Sequence, residues 1–177
     1  MESQSNVNCI IMQRTFFFIF VGLFSFILAS NKSIYHVPIQ GTIDMGLPHY
    51  LQRVIDQAES EEAAAIIFDI DTFGGRVDAA TQMKDIILDS KVTTVAFINK
   101  RAISAGALIS LSCDSIFMTP GASIGAATAV DLQGNKASEK VISYMREEMA
   151  STAEANNRFR DVASAMVDEE LSIPFIV

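Results

Sequence analysis

From residue 34 onward, the periodicity of apolar and polar residues changes repeatedly between that of strands and that of helices, which predicts strands separated by helices. Residues 63–70 are apolar apart from Asp69 and end at Asp71, which is typical of a buried parallel strand. Residues 34–43 instead alternate and carry β-branched side chains, as a first strand does. Strands are predicted over residues 34–43, 63–70, 92–98 and 115–118. Strands that alternate with helices favour an α/β fold with right-handed crossovers.

Amphipathic periodicity predicts the helices between these strands. The first begins at Gly46-Leu47-Pro48, with the proline in its first turn. Its buried stripe is predicted to consist of Leu51, Val54, Ile55 and Ala58. In the second, Ala80, Met83, Ile86 and Ile87 are predicted to face inward. The later helices are predicted over residues 76–89, 107–111, 139–156 and 158–170.

The chain starts with a segment that resembles a targeting signal. Residues 15–29 are mostly apolar, Arg14 precedes them, and the small residues Ala29 and Ser30 end the run. Fifteen residues fall short of the roughly 20 that a membrane-spanning helix needs. We therefore expect residues 1–30 to be a signal peptide, or a retained membrane anchor, and residues 31–177 to form one domain.

Composition narrows the classes of function. Half of the 177 residues are apolar and the net charge is −8, which fits a globular domain and excludes a nucleic-acid partner. Cys9 lies ahead of the apolar run, within residues 1–30, so a processed chain keeps only Cys113 and forms no internal disulfide. No paired His/Cys spacing is present, and we expect neither a metal nor a cofactor.

Two glycine-rich or small-residue junctions carry the candidate chemistry. Ser104 stands between a predicted strand and an apolar helix, where it is either a helix N-cap or a nucleophile beside free helical N–H groups. Gly74 and Gly75 directly follow the preceding buried strand, where they are expected to form a turn. Because loops at the same edge of a parallel sheet converge, one junction could supply a hydroxyl and the other oxyanion donors.

The base that would activate Ser104 is not evident from spacing. His36 falls in the first strand, His49 opens the first helix, and no histidine follows Ser104. A lysine can replace histidine if its charged form is disfavoured. Of the six lysines, Lys100 is expected in an exposed loop, and spacing alone leaves Lys136 and Lys140 open.

Several motifs in combination resemble the NfeD family of ClpP-class membrane serine proteases, also called stomatin-operon partner proteins. The motifs are Asp-Thr-Phe-Gly-Gly at 71–75, Ser-Ala-Gly-Ala at 104–107, Met-Thr-Pro-Gly-Ala-Ser-Ile-Gly-Ala-Ala at 118–127, and residues 139–149 and 153–156. The resemblance covers about residues 34–173. It implies a ClpP/crotonase-like fold built from repeated ββα and βαβ units.

The resemblance also implies the roles of individual residues. Ser104 matches the family's nucleophile and Lys140 its general base. Gly75 and Ala105 match the positions whose N–H groups form the oxyanion hole, and Gly74 shapes the turn. The implied activity is that of a serine endopeptidase with a Ser–Lys dyad that cleaves apolar peptide segments, with stomatin-like membrane proteins as expected substrates. A homo-oligomer, dimeric or larger, and a membrane-associated, extracytoplasmic location are expected.

Two departures from the family pattern leave alternatives open. Phe73 stands where the family usually has proline, and its larger ring is expected to narrow the cleft. The family's domain generally continues beyond the position of Val177, so the chain is expected to be C-terminally truncated. The alternatives are a non-catalytic membrane-quality-control module of the same fold and a crotonase-like acyl-CoA enzyme.

Overall fold

The structure is a computed structural model that describes residues 32–130 and 134–168, so the predicted leader lies outside the described residues. The strands within these ranges are β1 (Ile34–Ile43), β2 (Ala65–Gly75), β3 (Thr94–Ile103), β4 (Ser115–Met118) and β5 (Ser123–Gly125). The helices are α1 (Gly46–Ser60), α2 (Val77–Leu88), α3 (Ala105–Ser112), α4 (Glu139–Ala155) and α5 (Arg160–Ala165). No helix in these ranges is both long and apolar enough to cross a membrane.

The strands form one parallel sheet in the order β1-β2-β3-β4. β4 pairs with the first half of β3, and β5 pairs with its end at Arg101–Ile103. Each strand is thus followed in space by the next strand in sequence. Right-handed crossovers that always advance in one direction place their helices on one face of the sheet. In agreement, α1 packs on α2, and α2 packs on α3.

Burial along β2 follows from this one-sided layering. Ile66, Phe68, Ile70 and Thr72 are at most 1% exposed, whereas the residues between them are only half-buried or exposed. β2 is therefore a central parallel strand, as predicted, and its full burial is confined to the face that the helices cover. Buried and less buried residues alternate along this apolar run, and Asp69 and Asp71 fall on the face that the helices do not cover.

Side chains on α4 and in the turn between α4 and α5 connect this part of the chain to α2 and α3. Lys84 Nζ on α2 donates to Glu148 Oε1 on α4 at 2.7 Å, and both side chains are 14% exposed. The Arg158 guanidinium donates to the backbone oxygens of Leu111 and Cys113 at the end of α3. α5 begins at Arg160 and not at residue 158, after Asn157 adopts a left-handed conformation with φ +57°, and it ends at Ala165, earlier than predicted.

Candidate functional site

Ser104 occupies a strained turn between β3 and α3. Its φ of +55° and ψ of −115° are unusual for a residue with a side chain, and such strain clusters at functional sites. Its N–H donates to the Gly125 oxygen at 2.8 Å, which fixes the turn against β5. Its side chain makes no capping hydrogen bond to α3. Ser104 therefore occupies the N-cap position of α3, but its side chain does not cap the helix.

The Gly-Gly junction lies against Ser104, as the sequence predicted. A Cβ built on Gly74 would be 2.7 Å from the Ser104 Cβ and 3.2 Å from its Oγ. Gly74 also adopts φ +107°, which strongly favours glycine. The Gly74 N–H donates to Thr72 Oγ1 at 2.9 Å, and that hydroxyl donates in turn to the Gly41 oxygen. Two junctions 30 residues apart in sequence thus meet at one edge of the sheet.

Gly75 and Ala105, the predicted oxyanion donors, directly follow Gly74 and Ser104 in the sequence. Gly75 is the last residue of β2, so the Gly-Gly pair ends the strand rather than forming a separate turn. A side chain at Gly75 would overlap the backbone of Ile43. The neighbouring Arg76 N–H donates to the Ile43 oxygen at 2.9 Å. Ala105 begins α3 and is 6% exposed. Its N–H belongs to the first helical turn, where donors lack an acceptor within the helix.

A cavity of about 900 Å³ adjoins Gly75. It is lined by Thr42, Gly75, Arg76, Val77, Asp78, Thr81, Gln82, Val130 and Tyr144. Among these, Val77, Val130 and Tyr144 are large apolar side chains exposed by 40%, 61% and 50%. Exposed apolar surface beside candidate oxyanion donors suits an apolar segment of a bound chain.

Lys140 is the second residue of α4 and its side chain is exposed. Tyr144 lies one turn further along, and residues at i and i+4 share a helix face, so Lys140 lies beside the α4 end of the cavity. Within the described residues, no hydrogen bond or ion pair joins Lys140 to Ser104. Ile142 faces the core and Lys140 does not, because positions two apart on a helix point in different directions.

Lys100 and Arg101 belong to β3 and not to an exposed loop. Arg101 Nε donates to Asp71 Oδ1 at 3.0 Å, and its guanidinium carbon lies 4.4 Å from the centroid of the Phe73 ring. The ring is 70% exposed and is not among the residues that line the cavity, so it does not narrow this cleft as expected. Sequence reasoning missed this cluster because only the register of β2 against β3 brings Asp71, Phe73 and Arg101 together.

Comparison with known proteins agrees with this architecture. The family profile described as NfeD1b, N-terminal domain, matches residues 33–176. Membrane protein NfeD1b of Bacillus subtilis (strain 168) is 41% identical over 143 residues, which cover 81% of this chain and 33% of that protein. Membrane-bound protease PH1510 of Pyrococcus horikoshii is 32% identical over 163 residues, which cover 88% of this chain and 37% of that protein. The chain therefore spans about a third of the length of these curated relatives.

Solved structures confirm the ClpP-like fold. Two mutants of the 1510-N membrane-bound stomatin-specific protease match with TM-scores of 0.74 at 30% identity. One carries a serine-to-alanine change, and the other carries a lysine-to-alanine change and is in complex with a substrate peptide. They cover 81% of this chain, and 73% and 69% of their own chains. ClpP1 from Listeria monocytogenes matches with a TM-score of 0.60 at 26% identity, over 75% of this chain and 78% of its own.

The family profile covers nearly all of the residues that the structure describes, and the first relative exceeds 40% identity over most of the chain. The solved structures have the same mixed fold with a parallel sheet. The chain therefore belongs to the NfeD family, and residues 33–176 match its NfeD1b N-terminal domain.

Proposed function

We propose that this chain is a serine endopeptidase in which Ser104 and Lys140 form a catalytic dyad. The observation that carries the proposal is the contact between the strained Ser104 turn and Gly74, because it brings a hydroxyl and two sets of backbone donors to one point. The two solved mutants of the relative, one at a serine and one at a lysine, support a mechanism in which those residue types matter.

In the proposed first step, Ser104 Oγ attacks the scissile carbonyl carbon while neutral Lys140 Nζ accepts the hydroxyl proton. The carbonyl oxygen becomes an oxyanion that accepts hydrogen bonds from the Gly75 and Ala105 N–H groups. When the tetrahedral adduct collapses, the C–N bond breaks and Lys140 returns its proton to the departing amine. Water then attacks the acyl-enzyme, again with Lys140 as base, and releases the acid and the free serine.

Lysine can act as a base only in its neutral form. Lys140 lies in the first turn of α4, where the helix dipole disfavours a cation. An apolar peptide segment seated between Val77, Val130 and Tyr144 would also exclude water from the neighbouring ammonium group and disfavour its charge further. On this proposal, Lys140 becomes an effective base only when substrate covers it, which accounts for the exposure of Lys140 in the free chain.

The cavity also guides the proposal for the substrate and the cellular setting. Its apolar walls favour apolar peptide segments, and the stomatin specificity of the 1510-N protease points to stomatin-like membrane proteins. We further propose that residues 1–30 export or anchor the chain, that residues 31–177 act as the protease domain on the extracytoplasmic side of a membrane, and that the domain assembles as a homo-oligomer.

The dyad is tested by peptide cleavage with four purified variants, across pH values from about 6 to about 10. Ser104→Ala and Lys140→Ala should each abolish most turnover, and the double variant should be little worse, because the pair acts as a unit. Lys140→Arg should also be inactive, since a guanidinium does not lose its proton.

Lys100→Ala and Lys136→Ala are the matched controls, and both should cleave normally. If Lys136→Ala or Lys100→Ala is inactive while Lys140→Ala keeps wild-type turnover, the base is misassigned. Cleavage by Ser104→Ala would refute the serine-protease mechanism itself.

One observation favours a second candidate, the non-catalytic module of the same fold. Lys140 is exposed, and no hydrogen bond joins it to Ser104 in the described residues. A fluorophosphonate probe separates the two candidates, because it phosphonylates only an activated serine. Labelling at Ser104 that Lys140→Ala suppresses supports the protease, and a chain that is folded but never labelled supports the module.

A further inference from the structure

The end of β2 lacks regular pairing on both of its sides. Against β1, the register shifts between Gln40 and Thr42, so Gln40 pairs with Asp71 but Thr42 already pairs with Gly74. Against β3, the register shifts between Ile70 and Thr72, so that Ile70 pairs with Ile98 but Thr72 pairs with Ala102. Such bulges leave residues outside the ladder and are common next to active sites. Within residues 71–75, Phe73 pairs with neither β1 nor β3, so its position between the two ladders depends on its side chain.

Two sets of side-chain contacts brace the segment where the register shifts. On the covered face, Thr72 is 1% exposed and its hydroxyl holds the Gly41 oxygen and the Gly74 N–H. On the open face, the Arg101 guanidinium makes two hydrogen bonds to Asp71, at 3.0 and 3.5 Å, and stacks under the Phe73 ring at 4.4 Å. The Asp71–Arg101–Phe73 cluster thus bridges the bulge in β3.

The cluster borders both halves of the candidate site. Phe73 directly precedes Gly74, which packs on Ser104, and Arg101 lies three residues before Ser104 on β3. Movement of Arg101 would therefore displace Gly74 and Gly75 through Phe73, and would displace the Ser104 turn through β3. A planar guanidinium suits this place, because it can pair with a carboxylate at its edge and stack on a ring with its face.

We propose that Arg101 is a positioning residue that, through Asp71 and Phe73, holds the Gly74-Gly75 strand end against the Ser104 turn. This inference rests on the proposed function, since the strand end is taken to present an oxyanion donor. Neither Arg101 nor Phe73 lines the cavity beside Gly75. Loss of the cluster should lower the rate of the chemical step and leave binding in the cavity unchanged.

The kinetic test compares Arg101→Gln, Phe73→Ala and the double variant with wild type. Each single variant should lower kcat about tenfold with KM unchanged, because misplacing a catalytic group by a fraction of an ångström costs rate and not affinity. The double variant should be no slower than the slower single variant. Phe73→Tyr should retain wild-type kcat, since its ring can still stack, whereas Arg101→Lys should fall with Arg101→Gln.

Lys100→Gln is the matched control. Lys100 is the neighbour of Arg101, is 66% exposed and lies 3.9 Å from the same Asp71, but it has no ring contact. It should keep wild-type kcat and KM. Unchanged kcat in Arg101→Gln, or independent, multiplying losses in the double variant, would overturn the inference.

Amide hydrogen exchange separates failure of this inference from failure of the proposed function. In Arg101→Gln the Gly74 and Gly75 amides should exchange at least about tenfold faster than in wild type, while the distant Gly121 amide should not change. If wild type has no peptidase activity but this exchange pattern appears, the positioning role stands and the proposed reaction fails. If Gly74 and Gly75 exchange at wild-type rates in a folded Arg101→Gln chain, the positioning role is wrong whatever the activity.

Discussion

Replacing Gly74 by alanine tests the contact on which the candidate site is built. Gly74 adopts φ +107°, and a side chain forced into such a region costs about 1–3 kcal/mol. The new Cβ would lie 2.7 Å from the Ser104 Cβ and 3.1 Å from the Ile103 oxygen, where ordinary contacts begin at 3.4 Å. Overpacking of this kind adds about 1–3 kcal/mol. We expect the free energy of unfolding to fall by about 3 kcal/mol in total.

The same crowding should reach the chemistry. The Ser104 Cβ must move by roughly 0.7 Å to restore an ordinary contact, and a misplacement near 1 Å costs on the order of 100-fold in rate. Urea unfolding gives the stability loss, and the rate of fluorophosphonate labelling at Ser104 gives the loss of reactivity. Labelling should slow by about that factor under conditions in which the variant remains folded.

Gly121→Ala is the control that separates backbone strain from crowding. Gly121 also has a positive φ, +83°, but a Cβ there would meet no atom within 4 Å. It should lose about 1–2 kcal/mol of stability from strain alone and keep wild-type labelling. If Gly74→Ala loses no more stability than Gly121→Ala and labels at the wild-type rate, the two junctions do not meet as described.

Two further predictions concern stability and processing. Glu148→Ala should lower the free energy of unfolding by about 1–2 kcal/mol, because it leaves the Lys84 ammonium, which is 14% exposed, with Asp85 alone. The control is Glu147→Ala, which removes a 68%-exposed partner of Arg160 and should cost about 0.5 kcal/mol or less. Burial of Lys84 opposes its charge, but its hydrogen bonds to Asp85 and Glu148 outweigh burial and raise its pKa above the ordinary 10.5. The contribution of this charge to the free energy of unfolding is therefore full below pH 10.5 and is lost as the pH rises through the higher pKa of the folded state. Equal stability curves for wild type and Glu148→Ala at alkaline pH would contradict this. N-terminal sequencing of protein from an export-competent host should find residues 1–30 removed or membrane-bound, and cytosolic protein that retains Met1 would count against the leader.

The sequence by itself determined the order of the elements and the positions of the two junctions. Strand β1 and strand β4 begin and end where the pattern placed them, because alternation and turn residues act over a few neighbouring positions. The Gly-Gly pair after a buried strand and the serine before an apolar helix are equally local signals. Their convergence followed from one general rule, that loops at the same edge of a parallel sheet meet.

Only the tertiary structure decided which face of each strand is buried and which side chains meet at the site. The bare face of β2 follows from the direction of the crossovers, which no single strand encodes. The cluster of Asp71, Phe73 and Arg101 depends on the two bulges, because a shift in register changes the partner of every later residue. The position of Lys140 beside the cavity depends on how α4 packs along α3, and contacts between elements far apart in the sequence are not encoded in the periodicity of either helix.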